Sequence, residues 1–206
     1  MSKFDEKAGE LLNNAALASG AFEMFDQEKT DRIVEEVYKA GFNARISLAR
    51  MACEETGLGV FEHKVIKNVL ATQVVYEDIK NEKTAGIISE NEHTGITEIA
   101  QPLGPVLAVI PVTNPTSTVM FKILISLKTR NPVIISPSPR AAKCCSTCCG
   151  SGPPVISTPS SMFSVKAYSV RLALDRNSQR PSATAHLTCR IPTLPLSATS
   201  RCSSGQ

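Results

Sequence analysis

The chain has 206 residues, 42% of them hydrophobic and 20% charged, with a formal net charge of +3. That length allows one large domain or two small ones with a real core. No run approaches the roughly 18 consecutive apolar residues of a membrane-spanning helix, and the acidic opening MSKFDEKAGELL has no apolar stretch of the kind a secretory signal needs.

Asp26 is a candidate N-cap. From Ile33 the apolar residues recur at Val37, Ala40, Ala44, Leu48, Met51 and Ala52. Steps of three and four predict one helix with a single buried stripe, ended by Gly57 and Gly59. Cys53 falls on the apolar side of that helix and reads as core. A second helix is expected from about Phe61 to about Lys80, with Phe61, Val65, Val69, Ile66 and Leu70 as its apolar face. Sustained heptads are missing, so a packed helical layer fits better than a coiled coil.

Strand-like runs follow in AGIIS and ITEIA, and then GPVLAVIPV supplies a near-continuous apolar segment from Val106 to Ile110. Such a run suits a strand buried on both faces of a parallel sheet. Val119, Ile123 and Leu127 stand at helical spacing, NPVIIS gives a second buried strand, and SPSPRAA opens another helix. Strand, helix, strand and helix within about 45 residues predict a βαβ unit and an α/β fold with a parallel sheet. Asn114-Pro115 and Ser138-Pro139 each put a capping residue before a proline, where the missing N–H costs nothing. Both turns fall at strand C-termini, where doubly wound sheets bind ligands. A GxGxxG fingerprint is absent, so spacing alone does not establish a dinucleotide site. His63 on a helix and His93 in a loop read as surface or packing residues.

The texture changes after Lys143. Residues 1–143 hold 16 Lys+Arg and 18 Asp+Glu, whereas residues 144–206 hold six basic residues and one acid, Asp175. One cysteine precedes residue 144 and six follow, four of them in CCSTCC. The second part is rich in Ser, Thr and Pro and poor in aromatics, a composition that buries too little apolar surface to offset chain entropy. The expected division is therefore 1–143 as a folded α/β part and 144–206 as a low-complexity tail, disordered or out of frame. Cys145-x-x-Cys148 has zinc-ligand spacing, and His186-x-x-Cys189 could add two ligands. Doubled cysteines and the long separation of the two halves argue against a finger, and no metal is expected. No disulfide is expected either.

The stretch EKTAGIISENEHTGITEIAQPLGPVLAVIPVTNPTSTVMFKILISLKTRNPVIISPSPRA, with LARMACEETGLGVFEHKVIKNVLA before it, closely resembles the aldehyde dehydrogenase half of bifunctional aldehyde-alcohol dehydrogenases. A stand-alone CoA-acylating aldehyde dehydrogenase is the alternative parent. The resemblance runs from about residue 3 to about Arg140, and its sharpest motif is TNPTSTVMFKILISLKTRNPVIISP. It implies an N-terminal helical layer followed by an incomplete Rossmann-like parallel sheet of the aldehyde dehydrogenase fold.

It implies as cofactor NAD, with coenzyme A as cosubstrate and acetaldehyde as the aldehyde. A cysteine thiolate forms a thiohemiacetal, hydride leaves to the nicotinamide, and coenzyme A takes the acyl group. Asn114 matches the family asparagine that stabilises the oxyanion; from the residues alone, Asn-Pro at a helix start reads first as an N-cap. Ile135, Ser136, Pro137 and Ser138 match the turn beside the adenosine ribose. The lysine that the wider family places in this turn is missing. The family layout puts the nucleophilic cysteine beyond residue 206, so it is absent here, and this chain alone is expected to be inactive. A cytoplasmic, homo-oligomeric enzyme of fermentation is implied, with no membrane or nucleic-acid partner. The CCSTCC tail then reads as the product of a frameshift. The competing reading is a non-catalytic interaction protein with a basic disordered tail, resting on charge alone.

Overall fold

The computed structural model describes residues 3–150. The expectations for residues 151–206, including His186 and Cys189, lie outside the described residues. Five helical segments come first: α1 (Lys3–Glu23), α2 (Gln27–Asn43), α3 (Arg45–Thr56), α4 (Phe61–Val69) and, after a π turn at Leu70–Val74, α5 (Val75–Ile79). A hairpin of β1 (Gly86–Asn91) and β2 (Ile96–Ala100) leads to β3 (Val106–Ile110), α6 (Pro115–Lys128), β4 (Val133–Pro137), a 3-10 turn at Pro139–Ala141 and α7 (Ala142–Cys148). The chain is α/β, as its residues predict. Among the described residues, no helix is long and apolar enough to cross a membrane.

The βαβ unit stands where the sequence puts it. β3 and β4 pair in parallel from Val106 opposite Val133 to Ile110 opposite Pro137, with α6 as the crossover. β1 and β2 form a separate antiparallel pair. Helix α6 is the centre of the core: Val119, Met120, Leu124 and Leu127 are all buried, together with Ala108, Ile110 and Ile135 of the strands. Each such side chain contributes roughly 1.5–3 kcal/mol through burial.

β3 is not buried on both faces as expected: Ala108 and Ile110 face the core, while Leu107 and Val109 are exposed. Four further expectations are corrected. The single helix from Asp26 to Gly57 is two helices. The chain turns at Ala44 (φ −85°, ψ −2°), and Arg45 reaches back to the Phe42 carbonyl at 2.7 Å. A continuous apolar stripe does not register a break whose two halves both face the same core. Asp26 does cap α2, accepting from the Lys29 N–H at 2.8 Å, and Gly57 ends α3 in the left-handed region at φ 64°.

The second correction concerns the run from Phe61 to Ile79. Its core-facing positions are Lys64, Asn68, Ala71 and Thr72, while Ile66, Leu70 and Val74 are half exposed. The third is the N-terminal segment, which was read only for a signal and forms the 21-residue helix α1.

The fourth is the boundary at 143. Ala141 of the 3-10 turn and Cys144, Cys145 and Cys148 of α7 are fully buried, and there cysteine behaves as a small apolar residue. Glu55 of α3 completes the N-terminus of α7: its carboxylate accepts the Lys143 and Cys144 N–H groups at 2.8 and 2.7 Å. The change in composition thus precedes α7, the last helix among the described residues, and Cys144, Cys145 and Cys148 lie within it.

Candidate functional site

The turn between β3 and α6 carries Asn114, and helix α4 lies against it. Lys64, Lys67 and Asn68 stand at i, i+3 and i+4 on α4, so they share one face. Lys64 is buried and donates to the Thr113 carbonyl at 3.0 Å. Lys67 donates to Asn114 Oδ1 at 2.8 Å. Asn68 is buried; its Oδ1 accepts the Thr116 hydroxyl at 3.0 Å, and its Nδ2 donates to the Arg45 carbonyl at 2.8 Å. Thr72 closes the set from the π turn, donating to the Asn68 carbonyl at 2.7 Å.

These contacts enclose a small depression lined by Lys64, Lys67, Asn68, Asn114, Thr116 and Ser117, together with Pro115. Its electrostatics have one sign. Two ammonium groups and the N-terminal end of the 14-residue helix α6 converge there, and no carboxylate lines it. Charge of the opposite sign is what this environment stabilises.

Asn114 was expected either as an N-cap or as an oxyanion donor. It precedes α6, with Pro115 at the first helical position, but its side chain makes no capping bond. The main chain secures the helix start instead: the Asn114 carbonyl accepts from the Thr118 N–H at 3.2 Å and the Thr118 hydroxyl at 2.6 Å. The side-chain amide is therefore not consumed by the helix. Its Nδ2 has no hydrogen-bond partner among the described residues. At the other turn, Ser138 precedes Pro139 and likewise makes no side-chain cap. The two Asx/Ser-Pro turns share the proline device but not the capping bond that the residues suggest.

Ile135, Ser136, Pro137 and Ser138 end β4. Ile135 is 1% exposed and packs in the core, and Ser136 and Pro137 are buried as well. Ser138 is half buried; its N–H donates to Ile110 at 3.2 Å and its carbonyl accepts from Ala141. Its hydroxyl has no partner among the described residues. Of the four, Ser138 alone has a polar side chain that is not buried.

Three of the cysteines are held protonated by their setting. Cys144 is pushed well above the ordinary thiol range by the neighbouring Cys145 sulfur, by burial and by Glu55. Burial raises Cys148 strongly and pushes Cys149 up to about 12. Thiols of that kind stay protonated at neutral pH and do not act as nucleophiles. All five described cysteines are free, and among the described residues no three His, Cys, Asp or Glu side chains gather as a metal site. Cys53 is half buried on α3 rather than fully in the core. His63 and His93 are both exposed.

Lys64, Lys67 and Asn68 were missed because the segment was read for its apolar residues. The signal was present: K-x-x-K-N puts three polar groups on one helical face, and only packing shows that this face is the inner one.

A sequence model of the aldehyde dehydrogenase family matches residues 3–150. The aldehyde-alcohol dehydrogenase of Clostridium acetobutylicum is 54% identical over 126 residues, which is 61% of this chain and 15% of that protein. Among solved structures, an acetylating aldehyde dehydrogenase from Geobacillus thermoglucosidasius matches with a TM-score of 0.69 and 44% identity, over 71% of this chain and 32% of that one. A propionaldehyde dehydrogenase from Rhodopseudomonas palustris, solved with bound CoA and an acylated cysteine, matches with a TM-score of 0.53 and 32% identity, over 65% of this chain and 30% of that one. The chain thus spans only a small part of the relatives it matches.

Proposed function

Because the chain belongs to the aldehyde dehydrogenase family, we propose that it forms the N-terminal part of an NAD-dependent, CoA-acylating aldehyde dehydrogenase, with Asn114 as the oxyanion donor. The observation that carries this reading is the state of the Asn114 amide. It stands at the start of a long helix yet caps nothing, its Oδ1 is held by Lys67, and its Nδ2 has no partner among the described residues.

When a thiolate adds to an aldehyde, the carbonyl oxygen takes up negative charge. An amide N–H placed there stabilises the charge, and removing one such donor typically costs 10²–10³ in rate. Lys64 and the N-terminus of α6 add positive potential at the same place, and the residues lining it include no carboxylate. The thiolate comes from sequence beyond residue 206, as the resemblance implies; Cys144, Cys148 and Cys149 are pushed up and stay protonated at neutral pH. A nicotinamide cofactor, when bound, supplies the hydride acceptor; Ser138 is the residue of this chain that would touch it. Coenzyme A then takes the acyl group, in keeping with the acetylating and CoA-bound relatives. On this reading acetaldehyde, CoA and NAD⁺ give acetyl-CoA and NADH reversibly, in a cytoplasmic homo-oligomer. The 206-residue chain alone is inactive, and the tail from about residue 144 is out of frame. Translating the coding DNA around codons 140 to 150 in all three frames tests that last point: an open frame that continues the dehydrogenase is expected.

The functional test completes the enzyme. Residues 1–140 are joined to the remainder of the Clostridium acetobutylicum relative, and CoA-dependent NADH formation from acetaldehyde is followed at 340 nm. The chimaera should turn over and the 206-residue chain should not. Asn114→Ala in the chimaera should lower kcat by about 10²–10³, with the KM for NAD⁺ nearly unchanged. Turnover that survives Asn114→Ala would remove the oxyanion assignment.

A further inference from the structure

We infer that Lys67 is a positioning residue for Asn114, fixing which end of the amide faces the reacting oxygen; this rests on the oxyanion reading of Asn114. A side-chain amide has two ends of opposite character, an acceptor oxygen and a donor NH₂, and a half-turn about χ2 exchanges them. Only the NH₂ end stabilises an oxyanion; the oxygen end repels one. A catalytic asparagine therefore needs a device that selects one orientation.

Lysine is such a device, because its ammonium donates three hydrogen bonds and accepts none. Lys67 Nζ lies 2.8 Å from Asn114 Oδ1, so the oxygen is turned toward α4 and the NH₂ away from it. The flipped amide would set Nδ2 against an ammonium, donor against donor. The helix start offers no other restraint, since the Asn114 side chain makes no capping bond and its neighbours bond only to its carbonyl. Lys67 is itself anchored by the helix that carries it. One residue on, Asn68 is tied to Thr116 and Arg45, and three residues back, Lys64 is tied to Thr113. The face of α4 that presents Lys67 is thereby held at two points against the β3–α6 turn and at a third against α3.

The test uses the completed enzyme described above and the 206-residue chain itself. In the enzyme, Lys67→Met should lower kcat about ten-fold with the KM values for aldehyde and NAD⁺ nearly unchanged. Lys67→Arg, which keeps a donor-only cation, should recover most of that loss. In an Asn114→Ala background, Lys67→Met should change kcat less than two-fold, because the amide it orients is gone. In the chain itself, the Asn114 side-chain NH₂ signals in a ¹⁵N NMR spectrum should show one environment in the native protein and two exchanging environments in Lys67→Met. If Asn114→Ala leaves kcat intact, the oxyanion reading fails first. If Asn114→Ala is severe but Lys67→Met is silent, or multiplies its effect fully in the double variant, the positioning role alone is overturned. A native-like single amide environment in Lys67→Met would overturn it in the same way.

Discussion

The hydroxyl of Thr116 donates to Oδ1 of Asn68 at 3.0 Å, joining two buried side chains 48 residues apart in the sequence. Through its Nδ2 the same Asn68 holds the Arg45 carbonyl at 2.8 Å. One amide thus joins α3, α4 and α6, two residues from Asn114. The position of the candidate donor is set by this buried junction more than by the turn on which it sits.

Replacing Asn68 by Leu keeps the volume and removes both bonds. The Arg45 carbonyl and the Thr116 hydroxyl would be left buried without partners, and each such group costs about 1–3 kcal/mol. Asn68→Leu should therefore destabilise the chain by about 2–4 kcal/mol, read as a lower urea midpoint with an unchanged slope. A shift below about 0.5 kcal/mol would mean that the junction is solvated and holds nothing.

Arg130 sets two effects against each other. It is the one non-glycine residue at positive φ (57°) among the described residues, a conformation that costs of order 1 kcal/mol. Its guanidinium is buried and donates to the carbonyls of Glu23, Phe25 and Ala100 at 3.2, 3.3 and 2.9 Å, tying the end of α6 to the end of α1 and to β2. Charged hydrogen bonds are worth about 1.5–3 kcal/mol each, so they outweigh the strain. Arg130→Gly should relieve the backbone and still lower stability by at least about 2 kcal/mol. A stabilised Arg130→Gly variant would show that strain dominates.

Two helical glycines should respond in opposite directions. A Cβ on Gly20 of α1 meets nothing within 4 Å, so Gly20→Ala should gain close to 1 kcal/mol from helix propensity. A Cβ on Gly41 of α2 would come within 3.2 Å of the Thr72 methyl and 3.4 Å of the Met120 sulfur. The methionine can yield, but Thr72 is pinned to the Asn68 carbonyl. Gly41→Ala should be neutral or destabilising, and thermal melts of the two variants compared with the native chain would decide.

The α7 thiols give a pH dependence of definite sign. Cys149 titrates near 9 when unfolded and is pushed up to about 12 by burial. A raised thiol favours the folded state while it is protonated. Its contribution is complete below about pH 9 and is lost as the pH rises toward 12. Urea midpoints should fall across that window, and the fall should be shallower in Cys149→Ala. Identical slopes in the two proteins would contradict burial as the cause.

The sequence by itself determined the α/β class, the βαβ unit of β3, α6 and β4, the prolines that open α6 and the turn after β4, and the resemblance that points to Asn114. Those features are local: a run of five apolar residues or a 3–4 spacing carries its own periodicity, and a proline fixes its own φ. Tertiary structure alone decided the break at Ala44, the inward face of α4 and the packing of Cys144, Cys145 and Cys148 against the core. It also decided that Asn114 is spared from capping and is held by Lys67. In each case a short-range rule gave way to a partner far along the chain. Lys64 and Asn68 are polar and stand on a helix whose apolar residues invite burial, yet they face inward because the carbonyls and hydroxyls at the start of α6 need donors and acceptors there. Hydrogen-bond demand at a buried turn is a property of two segments together, and neither segment records it alone.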